Sequence, residues 1–189
     1  MSKVWAMASV RIGWIISRDR DILHSILNGR EYTLQNTSLI DETIATEALS
    51  SRCRNAILDR HLDNADKNLQ LLDTFMKKNS DLTSWTRPTA GATAFIRITG
   101  SNGQVVDDVE FCRQLLKEQR LLLTPGSHGF DDERQDDFRG YIRVQFTLVP
   151  EYFQKGLELL DAFLEKTRRV SLIDKIGSQS TVAIRAKLA

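Results

Sequence analysis

The sequence predicts an α/β chain in which a long helix leads into a small α/β domain. Three patterns carry that reading. Tyr141-Ile142-Arg143-Val144-Gln145-Phe146 alternates, so a strand would put Ile142, Val144 and Phe146 on one face and Arg143 and Gln145 on the other. Ala94-Phe95-Ile96-Arg97-Ile98 reads as a second strand. Upstream, Leu58, Leu62, Ala65, Leu69, Leu72 and Met76 recur every three or four residues as one helical stripe, and neither Pro nor Gly interrupts 41–78. Composition supports a packed chain: 41% hydrophobic and 27% charged residues mark a globular protein, not a disordered one. Lys+Arg 26 against Asp+Glu 25 leaves a net charge of +1, which argues against a nucleic-acid partner held by bulk electrostatics.

In chain order, Ile12–Ile16 reads as a buried strand, Ser17-Arg18-Asp19 as a turn, and Asp21–Asn28 as a short helix. Ile22, Leu23, Ile26 and Leu27 would face inward, and Gly29 would stop that helix. Ser38-Leu39-Ile40-Asp41 has the form of a capping box, opening a helix from about Asp41 to about Lys78 that connects two bodies or is broken by a small bend. Arg87-Pro88-Thr89-Ala90-Gly91 is a turn-rich entry to the strand at 94–98, and Gly100–Gly103 is a turn. Asp107 or Asp108 caps a helix with Phe111, Cys112, Leu115 and Leu116 inward. Leu121–Thr124 reads as a short buried strand ending in the Pro125-Gly126-Ser127 turn, and 128–139 as an acidic loop. Pro150 suits the first turn of a last helix with Phe153, Leu157, Leu160 and Leu164 as its stripe. The tail, 169–189, has no clear pattern.

Cys53 and Cys112 fall within apolar patterns and are expected as buried free thiols, in keeping with a reducing compartment. No apolar run is long enough to span a bilayer, and the first thirty residues carry charges throughout, unlike a signal peptide. These features predict a cytoplasmic protein without a membrane partner.

Three cations draw attention. Lys3 and Arg11 lie eight positions apart in Ser2-Lys3-Val4-Trp5-Ala6-Met7-Ala8-Ser9-Val10-Arg11-Ile12-Gly13, separated by small and apolar residues. Arg143 lies in mid-strand. Taken alone, Lys3 is a solvated lysine, and Arg11 and Arg143 are surface arginines. Chemically, a lysine amine can serve as nucleophile or proton shuttle, and a guanidinium is a forked donor suited to phosphate or carboxylate.

The segment around Lys3 and Arg11 resembles the cofactor-lysine segment of the class I/II, fold-type-I pyridoxal-phosphate-dependent aminotransferases. There a Ser-x-Ser-Lys or Ser-x-x-Lys element is followed eight residues later by an arginine in an Arg-x-Gly context. Arg87–Phe95 resembles that family's Pro-x-Gly-Gly entry to the small domain, with Ala92 in place of the second glycine. Leu123-Thr124-Pro125-Gly126-Ser127-His128-Gly129-Phe130 resembles its Val-x-Pro-Gly-x-x-Phe-Gly turn, with Gly and Phe in swapped order. Arg143-Val144-Gln145-Phe146 resembles its Arg-(Ile/Val/Leu)-x-Phe signature.

The resemblance covers residues 1 to about 168 and implies several expectations. Lys3 is the catalytic residue and carries pyridoxal 5'-phosphate as a Schiff base. Arg11 binds the cofactor's phosphate, and Arg143 binds the substrate's α-carboxylate. Amino-acid and 2-oxo-acid substrates follow, with a homodimer for the full-length enzyme and no metal. Residues 1–40 become the end of the large cofactor domain, 41–79 the interdomain helix and 80–168 the small C-terminal domain. Family members are longer and supply upstream the glycine-rich phosphate loop, the ring-stacking aromatic and the Asp on the pyridine nitrogen. None of these can be placed here. The chain is therefore expected to be a C-terminal half, with Met1 an internal methionine or the start of a truncated product. Two alternatives stay open: a non-catalytic fragment acting as an interaction or dimerisation piece, and a lyase or aminocyclopropane-carboxylate-synthase-like member of the same superfamily.

Overall fold

A computed structural model describes residues 1–34, 36–100, 103–130 and 138–187, with side chains through Arg169. It divides into two compact units, Met1–Asn64 and Ala65–Ala189.

The second unit contains the apolar core. Its sheet has four strands, β1 (Thr83–Trp85), β2 (Thr93–Ile98), β3 (Thr124–Pro125) and β4 (Tyr141–Gln145), in the order β1-β2-β4-β3 with every pair antiparallel. Alternation sorts the two faces. Ala94, Ile96, Ile98, Ile142 and Val144 are buried among helical side chains such as Leu72, Leu115 and Leu160. Phe95, Arg97, Tyr141 and Arg143 share the opposite, half-buried face. Each fully buried Leu or Ile contributes about 1.5–3 kcal/mol through water exclusion, so the helix-covered face anchors the sheet. Covering it are the C-terminal part of α3 (Arg54–Lys78), α4 (Asp108–Gln119) and α6 (Pro150–Lys187), while α5 (Gly126–Phe130) is a single turn before β4.

The expected helix start resolves in favour of Asp107, whose side chain accepts from Glu110 N–H at 2.9 Å, and α4 ends at Arg120 in the left-handed region. Leu116 stands 40% exposed and does not join Phe111, Cys112 and Leu115 in the core. The strand expected at 121–124 is displaced: Leu121–Leu123 stay outside the ladder, which begins only at Thr124, opposite Arg143. Of the expected Pro125-Gly126-Ser127 turn, Pro125 ends β3, and Gly126 and Ser127 open α5. Residues 131–137 of the expected acidic loop, and Ser101 and Asn102 of the expected turn, lie outside the described residues. The last helix continues into the tail that showed no clear pattern, to Lys187.

The first unit departs further from the sequence reading. Ile12–Ile16 form no strand, and Ile15 and Ile16 are 63% and 86% exposed. A strand exists only where a ladder partner takes its N–H and C=O groups, and the described residues of this unit supply none. α1 (Arg20–Thr33) is capped by Asp19, which accepts from the N–H groups of Asp21 and Ile22, and it runs straight through Gly29. Gly29 is not among the positive-φ glycines, so it ends nothing. α1 buries no residue, contrary to the inward face expected for Ile22, Ile26 and Leu27.

Of the two alternatives for the helix over 41–78, the structure shows the break: it is two helices, α2 (Leu39–Leu49) and α3. Ser50 adopts an extended backbone (φ −60°, ψ 156°), and its carbonyl accepts from the N–H groups of Cys53 and Arg54 to start the next helix. Neither Gly nor Pro makes this break. Adjacent serines offer the backbone non-helical hydrogen bonds, and the Glu47 carboxylate gathers Arg52 and the Cys53 thiol across the gap. Cys53 is thus half-buried, whereas Cys112 is buried as expected; both are free thiols. No helix among the described residues is long and apolar enough to cross a membrane.

Asn68 is a polar residue in the middle of the helical stripe and is fully buried. Its amide donates to the carbonyls of Phe146 (3.0 Å) and Leu148 (2.8 Å), closing the chain end beyond β4 onto α3. Asn68→Ala strands both carbonyls and should lower the urea-unfolding free energy by about 1–3 kcal/mol. Asn68→Asp, which turns a carboxylate toward two carbonyl oxygens, should cost more at neutral pH than at acid pH.

Candidate functional site

Lys3 and Arg11 lie on one loop at the start of the chain. The Met1 ammonium donates to the Ile12 carbonyl at 3.3 Å, which closes the loop, and Ala6 N–H bonds to the Lys3 carbonyl at 3.1 Å inside it. Ala6 is in the left-handed region (φ 53°), uncommon for a residue with a Cβ, so the bend is held by its surroundings. Trp5 packs edge-on against Trp14 with ring centroids 6.0 Å apart, and Val10 is buried. Lys3 and Arg11 are both exposed. Arg11 spends one guanidinium N–H on the Ala8 carbonyl at 2.9 Å. The Trp5 indole N–H is buried without an acceptor among the described residues. The loop therefore holds an amine, a guanidinium and an orphaned donor, which fits an aldehyde-bearing phosphate.

Arg143 lies in the second unit, on the sheet face away from the helical core. It stands opposite Phe95 of β2 and Thr124 of β3. Its guanidinium lies over the Phe130 ring, 5.3 Å from the centroid. Phe95, Phe130 and Phe138 pack together, with Phe95–Phe130 at 5.1 Å and Phe95–Phe138 at 5.2 Å. Stacking on an aromatic ring fixes the plane of a guanidinium and leaves its edge donors free for a planar anion. Beside this cluster a cleft of about 420 Å³ is lined by Ser84, Thr86, Thr93, Phe95 and Tyr141, among others. Arg143 itself lines not this cleft but a smaller one, about 270 Å³, with a wall rich in leucine.

The turn carrying Phe130 is held by Asp108, a residue with no role in the sequence reading beyond possible capping. With Asp107 taking the cap, Asp108 turns inward and is 1% exposed. Its carboxylate accepts from Ser127 N–H (2.9 Å), Ser127 Oγ–H (2.8 Å) and Gly140 N–H (3.0 Å). Two glycines make this geometry possible. A Cβ on Gly126 would sit 2.5 Å from the Phe138 carbonyl oxygen, and Gly140 has φ +79°.

No family model matches the chain. Among curated proteins it is 25% identical to nicotianamine aminotransferase A of Hordeum vulgare, over 92% of this chain and 38% of that protein. It is 28% identical to the (5-formylfuran-3-yl)methyl phosphate transaminase of Methanocaldococcus jannaschii, over 87% of this chain and 40% of that one. A solved PLP-dependent aminotransferase from Streptococcus suis superposes with a TM-score of 0.73 at 32% identity, covering 88% of this chain and 40% of that chain. The chain is a relative of the pyridoxal-phosphate-dependent aminotransferases. It spans about two fifths of the length of the relatives it matches, in keeping with a C-terminal half. A PLP-dependent cyclase also superposes, with a TM-score of 0.72 at 25% identity.

In this aminotransferase relative, Asp108 and Phe130 escape sequence reasoning for different reasons. Asp108 is masked by its neighbour, since either aspartate could cap. Phe130 needs the α5 turn to reach Arg143. Arg87, in the turn-rich entry, pairs with Asp73 at 2.9 Å and so ties that entry to α3.

Burial opposes ionisation of Asp108, but the N–H donors of Gly140 and Ser127 and the Ser127 hydroxyl outweigh it, so its carboxyl titrates below the ordinary 3.8. The folded state then binds this proton less readily than the unfolded chain, and the group adds stability that is complete above the unfolded value. That contribution should drain away as pH falls below about 4 toward the folded value. Asp108→Asn should flatten this part of the acid-unfolding curve relative to the parent chain, followed by circular dichroism.

Proposed function

We propose that this chain carries the cofactor lysine and two anion-binding arginines of a pyridoxal-phosphate-dependent aminotransferase that exchanges the amino group of an α-amino acid with a 2-oxo acid. The observation that carries the reading is Arg143: a half-buried guanidinium laid on Phe130, with no carboxylate partner among the described residues, in a chain similar to known aminotransferases. In this reading Arg143 takes the substrate's α-carboxylate through two parallel N–H donors and fixes its orientation. Arg11, with the Trp5 N–H as a further donor, would hold the cofactor's phosphate. The Lys3 amine would hold the cofactor at its carbonyl carbon and would serve to move the proton at the substrate's Cα. Pyridoxal phosphate supplies the electron sink for the carbanion at that carbon. The full-length enzyme is proposed to be a cytoplasmic homodimer.

A second reading has its own support, because a PLP-dependent cyclase is among the structural neighbours. Lyase or ring-forming chemistry needs the same three side chains. Product analysis separates the two: a 2-oxo acid for transamination, an elimination or ring product for the other.

Borohydride reduction of the chain with pyridoxal phosphate should fix a pyridoxyl group on Lys3, mapped by mass spectrometry and lost in Lys3→Ala. Label scattered over many lysines would sink the assignment. Arg143→Lys, which replaces a fork with a point charge, should weaken calorimetric binding of a simple carboxylate about tenfold or more.

A further inference from the structure

The outer face of the sheet holds a second arginine that the proposed chemistry leaves unused. Arg97 stands opposite Tyr141 in β4 and Ser84 in β1, on the same face as Arg143. The ladder pairs Phe95 with Arg143 and Arg97 with Tyr141, so the two arginines occupy diagonal positions. Diagonal neighbours across an antiparallel pair have Cβ atoms about 7–8 Å apart, within reach for long side chains.

Two observations make Arg97 more than a surface cation. Its guanidinium lies over the Tyr141 ring, 5.7 Å from the centroid, and its Nε is sealed from solvent with no hydrogen-bond acceptor among the described residues. An arginine that merely covers a ring keeps its head in water. A buried, unpaired N–H on a permanent cation is costly, and such groups are rare unless something fills the vacancy. The second guanidinium nearby raises the cost, because like charges repel. No carboxylate among the described residues pairs with either arginine. Ser84 and Tyr141, the two cross-strand neighbours of Arg97, line the cleft of about 420 Å³ beside it, where Thr86 and Thr93 add hydroxyls; the two guanidiniums stand outside its lining. That volume suits a small ligand.

We propose that Arg97 is a specificity residue that binds a second anionic group of the ligand while Arg143 binds the first. The inference rests on the carboxylate role proposed for Arg143 and narrows the substrate class to amino acids with an acidic side chain and the matching 2-oxo diacids. One dianion would neutralise both guanidiniums and give the Arg97 Nε its acceptor.

The test compares calorimetric binding of butyrate, glutarate and 3-phosphonopropanoate to the whole chain and to its variants. Glutarate should bind about tenfold or more tightly than butyrate. Arg97→Gln should abolish that advantage and leave butyrate unchanged, while Arg143→Gln should weaken both acids. Stronger binding of the phosphonate than of glutarate supports Arg97 as the second anion site and assigns it to phosphate. Arg97→Gln that keeps the glutarate advantage overturns the proposal, as does a parent chain that binds neither diacid. Butyrate binding indifferent to Arg143→Gln overturns the Arg143 reading instead. The parent chain gives a check independent of variant folding: glutarate, but not butyrate, should slow phenylglyoxal modification of Arg97, read by peptide mass spectrometry. Equal rates with and without glutarate overturn the proposal.

Discussion

The carboxylate of Asp108 holds three pieces of chain that have no covalent reason to stay together. It sits at the first residue of α4 and accepts from the N–H and hydroxyl of Ser127 and the N–H of Gly140. Those donors bracket the segment that leads from α5 into β4, and Phe130, the platform for Arg143, lies on α5. Hydrogen bonds to a buried ionised acceptor are worth about 1.5–3 kcal/mol each, more than neutral pairs. A buried carboxylate without these donors would be untenable, so each end of the arrangement enforces the other. Gly126 and Gly140 are the local condition: one lets the turn approach Phe138 and Tyr141 closely, the other supplies a left-handed backbone.

The sheet thereby becomes a two-sided device. Its inner face is sealed by aliphatic packing against α3, α4 and α6, which gives rigidity. Its outer face spends part of its area on aromatic rings and part on two guanidiniums. A cation held on a ring over the central strands of a packed sheet loses little conformational freedom when an anion arrives, so less of the interaction is consumed by ordering. Rigid presentation of this kind suits a site in which orientation of the ligand decides the chemistry.

The second unit was largely legible because its elements announce themselves locally. The alternation of 141–146 gives both the buried and the open face of β4, and the stripe of α3 gives Leu72 and Met76 their place in the core. Arg143 could be found from its motif. Arg97 sits at the equivalent outward position of β2 and carries the same alternation signal, but no motif drew attention to it. Asn68 and Asp108 are harder. Both are polar residues where the pattern asks for apolar packing or a plain cap, and their partners lie 19 to 80 positions away in sequence. The first unit was misread where local signals met no partner: an apolar run without a ladder stays irregular, a glycine with room to be helical does not end a helix, and a serine pair with a carboxylate beside it breaks one.

The brevity of β3 bears on how this protein behaves at high concentration. An outer strand exposes a row of free backbone donors and acceptors that invites another sheet to join. Here that strand is only Thr124–Pro125, and the proline brings no N–H to the free side. The chain then turns at once into α5, which leaves no straight length of backbone for a neighbour to follow. The turn that carries Phe130 to the binding face therefore also guards one border of the sheet against self-association.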